Sequence, residues 1–173
     1  MVWSAPIFAA LVPLALSFPT YPIPKTLNKA FLAEAGCSLP EGFTIANFKV
    51  WTPSQTNNAS MTVQFAYLDK TTSIQTSCQR NASSENVGKP GLAARYACDN
   101  PLVQFIWQEE TLTLVETVCP GSTGSIHYET TGSLTPQPQC SPTDCNFGSG
   151  DGTLCTSAGD LQGNFTSLQP SPP

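Results

Sequence analysis

Between Gly42 and Val118 apolar side chains recur at every second position, the period of a β-strand with one face buried, and helical spacing is almost absent. Phe43 and Ile45 share one parity and Phe48 and Val50 the other, so a bulge is expected at Ala46-Asn47. Met61, Val63, Phe65 and Tyr67 alternate with Thr62, Gln64, Ala66 and Leu68, and Asp69-Lys70 supplies turn chemistry before Ile74, Thr76 and Cys78. A polar loop leads to a second predicted hairpin, with Leu92, Ala94, Tyr96 and Cys98 on one strand. Asp99-Asn100-Pro101 turns the chain into Val103, Phe105 and Trp107. Glu109-Glu110 marks the next reversal, and Leu112, Leu114 and Val118 give a further strand from which Glu116 is expected to point outward. The pattern predicts an all-β fold: a compact antiparallel β-barrel or two-sheet sandwich, stapled by disulfides and preceded by a short N-terminal helix.

The flanks differ in kind. Residues 1–17 carry no charge, run apolar from Ile7 to Leu16 and end on Ala15-Leu16-Ser17, the pattern of a secretory signal peptide. Residues 18–36 open on Pro19, Pro22 and Pro24 and read as a pro-segment or the short helix, with Thr26 as cap, Leu27, Phe31 and Ala35 on one face and Gly36 as stop. Residues 37–168 then form a single barrel-like domain, since the roughly 155 residues left after cleavage suffice for one core and not comfortably for two. Beyond Leu134, Pro, Ser, Gly and Cys dominate, predicting loop and one last short strand, with residues 169–173 a disordered tail.

Seven cysteines, at 37, 78, 98, 119, 140, 145 and 155, follow the signal and read as bridges in an oxidising, extracellular compartment. Seven is odd, so one thiol is left over. No pair has CxxC spacing and the single histidine, His127, has no cysteine close by, so neither a metal site nor a cofactor is expected. Charged residues are 11% of the chain and the net charge is −5, which excludes an electrostatic nucleic-acid surface and does not favour anionic membrane. Asn58-Ala59-Ser60, Asn81-Ala82-Ser83 and Asn164-Phe165-Thr166 are acceptor sequences for N-linked sugar on an exported chain.

Catalytic candidates are sparse. His127 and Glu129 fall two apart on a predicted strand, where they would either orient a nucleophile or simply form a polar face opposite Ile126 and Tyr128. Of the acids, Glu109 and Glu110 lie in a turn, and Asp144, Asp151 and Asp160 in a loop-rich tail. FGSGDG lacks the Lys-Ser/Thr and the helix of a phosphate-binding loop. Trp51, Trp107 and several phenylalanines would line an apolar ligand cavity in a closed barrel or else pack the core.

FTIANF, MTVQFAYLD, TSCQRN, RYACDN, VQFIWQEETLTLVE and a late GSLTPQPQC with Cys155 beyond it make the chain resemble, over about Cys37 to Phe165, the fungal secreted family typified by the major Alternaria allergen. The resemblance implies a compact β-barrel of two packed sheets, no known enzymatic activity, and a role as allergen or effector. It also implies the pairs Cys78–Cys98 and Cys140–Cys155, each contributing about 3 kcal/mol by loop entropy. Cys37 takes the place of a family cysteine that can join two subunits. Cys119 and Cys145 depart from the family pattern. If Cys37 bonds Cys119 within the chain, Cys145 is the odd thiol and the disulfide-linked homodimer does not carry over. The expected function is therefore non-catalytic binding of a host or environmental protein, such as a host defence protein. The alternatives are a carrier of a small apolar or phenolic ligand and a cell-wall-associated structural protein.

Overall fold

The computed structural model describes residues 22, 38–55, 58–118, 127–143 and 151–171; the signal segment and the expected helix over 26–35 lie outside them. Eleven strands follow in order: β1 (Gly42–Pro53), β2 (Thr62–Asp69), β3 (Ile74–Arg80), β4 (Tyr96–Ala97), β5 (Val103–Gln108), β6 (Thr111–Val118), β7 (Tyr128–Leu134), β8 (Gln139–Thr143), β9 (Gly152–Thr156), β10 (Leu161–Asn164) and β11 (Ser167–Pro170). One sheet runs β3-β2-β1-β9-β8 with β10 also on β1, and the other runs β11-β7-β6-β5-β4. All pairings are antiparallel.

The alternation read from the sequence does the folding. Phe43, Ile45, Phe48, Val50, Val63, Phe65 and Tyr67 of one sheet meet Val103, Phe105, Leu112, Leu114 and Val118 of the other, all buried. Each such side chain contributes about 1.5–3 kcal/mol of apolar burial. Rings bridge the layers: Phe65 meets Phe105 edge-on at 5.0 Å between centroids, and Phe48 meets Trp107 at 5.4 Å. The predicted bulge is present, with a register shift between Ala46 and Lys49 against β2 and a φ of 55° at Asn47. It lets one long strand use two partners on the same side: β10 along Gly42–Ile45 and β9 along Lys49–Pro53.

Of the two architectures expected, the sandwich is the one that forms. The sheets approach at both flanks without a continuous ladder. On one flank Cys78 and Cys98 form an isolated bridge and Asp99 N–H donates to Ser77 O at 2.9 Å. On the other, Thr166 N–H donates to Thr131 O at 2.8 Å, and Gly132 lies so close to β10 that an added Cβ would sit 2.3 Å from Asn164 O.

Three expectations change. The strand predicted from Leu92 through Cys98 shrinks to Tyr96–Ala97, because Pro90-Gly91 turns the backbone and Asn86 Oδ1 takes the Arg95 N–H that a ladder would need. Among the described residues the segment beyond Leu134 holds four short strands, not one. Gln169 and Pro170, expected in a frayed tail, belong to β11, and Ser171 N–H donates to His127 O at 2.8 Å.

Candidate functional site

The chain between β3 and β4, residues 81–95, leaves the sandwich and returns to it. Its base is closed by the Cys78–Cys98 disulfide, whose Cα atoms are 4.2 Å apart and whose cysteines are buried in the core. Within the excursion nearly every bend has a polar side chain holding it. Asn81 Oδ1 accepts from Ser83 N–H and the Ser83 hydroxyl at 2.9 and 2.7 Å, and Ser84 Oγ accepts from Asn81 N–H at 2.9 Å. Asn86 Oδ1 clamps Gly88 N–H and Arg95 N–H at 2.8 and 2.9 Å, while Val87 N–H donates to Arg95 O at 2.9 Å. At the tip Leu92 N–H donates to Lys89 O at 3.2 Å across Pro90-Gly91; proline at the first corner and a glycine φ of 83° at the second define a type II turn.

One contact docks this loop onto the sandwich, and a second joins the two strands at its foot. Arg95 Nη1 donates to Glu129 Oε2 at 2.9 Å with both side chains mostly buried, and the Arg80 guanidinium lies 4.8 Å from the Tyr96 ring centroid. The loop then presents Val87 and Leu92, 50% and 60% exposed, the large hydrophobics left in solvent among the described residues. Beside the disulfide, Ala66, Gln75, Thr76, Ser77, Asp99 and Asn100 line an open polar cleft of about 430 Å³. Its wall is pinned by Asn100 N–H donating to Thr76 Oγ1 at 2.8 Å.

His127 and Glu129 do not act as a pair. His127 is exposed, whereas Glu129 is buried at 7% exposure with its carboxylate committed to Arg95, so the polar surface face predicted at Glu129 is a covered one. Glu109 and Glu110 are exposed in the β5–β6 turn, both at positive φ, and Asp151 and Asp160 are exposed as well. Asp144 lies outside the described residues. Trp51 is buried against Gly152, where a Cβ would fall 2.7 Å from the indole, and Trp107 packs on Phe48, so both rings serve packing.

The expectation for Glu116 is overturned. It shares the parity of Leu112, Leu114 and Val118, and its side chain is wholly buried between the sheets. The Tyr67 hydroxyl donates to its Oε2, Oε1 has no partner, and burial pushes the carboxyl up to about 7. Burial and the neighbouring Glu116 likewise raise the Tyr67 phenol.

Cys140 and Cys155 face one another across β8 and β9 and are bonded, with Cys140 exposed. Cys37, Cys119 and Cys145 lie outside the described residues. Asn58 and Asn164 are exposed and Asn81 half-buried at the foot of the loop. Among the described residues no three His, Cys, Asp or Glu side chains gather as metal ligands. Sequence reasoning missed the roles of Asn86 and Arg95, which tie together residues far apart in the chain and leave no periodic signal.

Geometry thus defines a disulfide-stapled two-sheet β-sandwich that carries one pre-ordered apolar-tipped loop. The chain is similar to two solved structures of the major allergen Alt a 1 of Alternaria alternata. One matches at 17% identity and a TM-score of 0.47, covering 76% of this chain and 95% of that one. The other matches at 18% identity and the same TM-score, covering 76% and 89%. No protein-family model matches the chain, and no curated protein does.

Proposed function

We propose that this is a non-catalytic secreted fungal protein that acts by binding another protein, an effector- or allergen-like molecule whose recognition element is the 81–95 loop. The carrying observation is the loop's order: a disulfide at its foot, a type II turn at its tip, and Val87 and Leu92 held out in solvent between them. Apolar side chains on a loop already fixed in place lose little conformational entropy when a partner covers them. Aromatic rings in contact across the interlayer occupy the space a carrier would keep for its ligand, which favours recognition at the surface.

The test is capture from host apoplastic fluid by the mature glycosylated protein, beside a Val87→Asp/Leu92→Asp variant. A specific protein is expected on the parent and absent from the variant. Nothing above control, or equal capture by both, would sink the proposal.

A further inference from the structure

Glu116 sits where a charge is hardest to keep. On its own sheet it is in register with Val103 of β5 and Thr130 of β7, and the Thr130 hydroxyl donates to its backbone oxygen at 3.3 Å. Across the interlayer, β2 presents Tyr67, stacked at 6.2 Å on Phe43 of β1, and the fully buried Asp69. Asp69 is itself supplied with donors: Thr71 N–H at 2.6 Å and the Thr72 hydroxyl at 3.1 Å. Thr72 stands near Glu116 too, but its hydroxyl proton goes to Asp69. The titratable groups acting on Glu116 are Tyr67 and Asp69, one a neutral phenol and the other a second acid, with no cation among them. One phenolic hydrogen bond therefore joins the two sheets at this point, and the other carboxyl oxygen faces the core with no donor.

We propose that the Glu116 carboxyl is a pH-operated catch between the sheets: protonated, it sits neutral in the interlayer on the Tyr67 hydroxyl of β2; ionised, it keeps that hydrogen bond but leaves a buried charge, one oxygen unpartnered, beside Asp69 and so loosens the sandwich. The sign follows from linkage. A carboxyl raised from 4.5 to about 7 on folding binds its proton more tightly in the folded state. Its stabilising contribution is then whole below pH 4.5, declines as pH rises, and is lost above about 7. That displacement corresponds to a folded-to-unfolded ratio lower by roughly 300-fold on the alkaline side, at tenfold per pH unit. The direction is opposite to the usual acid sensitivity of paired carboxylates, so the sandwich gains its last rigidity in acidic surroundings.

The experiment is urea unfolding of the full disulfide-intact protein, followed by tryptophan fluorescence at intervals from pH 4 to 8. His127 is replaced by Gln throughout so that no imidazole contributes. The unfolding equilibrium is expected to move by two to three powers of ten across this range (~300-fold), and to stay flat when Glu116→Gln is added, since the amide keeps the shape and cannot ionise. A flat profile without Glu116→Gln, or an unchanged slope with it, would overturn the proposal. Should Glu116→Gln fail to fold, carbon NMR of the glutamate carboxyls in the parent protein decides. One resonance titrating near neutrality supports the catch, and all titrating in the ordinary carboxylate range refutes it.

Discussion

The two disulfides among the described residues join directly opposed residues of antiparallel backbone, yet they do different work. Cys78–Cys98 is buried in the core, and its 20-residue span is filled by an excursion whose bends are held by Asn81, Asn86 and Arg95. Cys140–Cys155 spans 15 residues and clips β8, an edge strand exposed along nearly its whole length. Loop entropy barely distinguishes spans of 20 and 15, so the difference between the two must come from what surrounds the sulfur atoms. The comparison separates anchoring a presented loop to a core from holding an edge strand in place.

The largest effect is expected from removing the bridges one at a time. Cys78→Ala with Cys98→Ala loses about 3 kcal/mol of chain constraint and leaves a hole in the core, for about 5 kcal/mol in total. Cys140→Ser with Cys155→Ser stays near ~3 kcal/mol, because Cys140 is exposed and Cys155 only half-buried at the margin of the core, so little space is left unfilled. Urea unfolding measures both, and equal costs would erase the distinction. Exposure also predicts the order of reduction: under native conditions a small dithiol should open Cys140–Cys155 first, read by alkylation and peptide mapping.

Next in size is Arg95→Met, which leaves Glu129 buried without its cation and should cost about 3 kcal/mol. Hydrogen exchange at the Gly88 and Arg95 amides should speed up with it, and unchanged protection would show that the loop does not depend on that docking contact. The smallest effect belongs to Gly91→Ala. No atom lies within 4 Å of the added methyl, so the cost, about 1 kcal/mol, comes from the positive φ alone. It should appear in exchange rates at the tip and scarcely in global unfolding.

The same contrast shows what a sequence makes legible. Both inner faces follow from period-two alternation, and so does the bulge at Asn47, because burial is imposed residue by residue. Glu116 was legible as well: it shares parity with Leu112, Leu114 and Val118, and only the general expectation that carboxylates face water put it outside. The loop was not. Leu92, Ala94 and Tyr96 alternate as a strand would, but Asn86 Oδ1 takes Arg95 N–H from nine positions away, a contact with no period. Strands β8 to β11 are short, and Pro142 and Gly163 blur their pattern, so their pairing is fixed by neighbours and not by local preference.

β1 is flanked on one side by β2 and on the other by β9 and β10, whose residues are made about a hundred positions later or more. The first strand of the sandwich therefore waits with an open edge until the C-terminal segment has been synthesised, which makes folding slow and the nascent chain vulnerable to pairing with other molecules. Its interruption at Asn47 divides that edge into two shorter ones, and a short edge is a poorer template for aggregation than one long one.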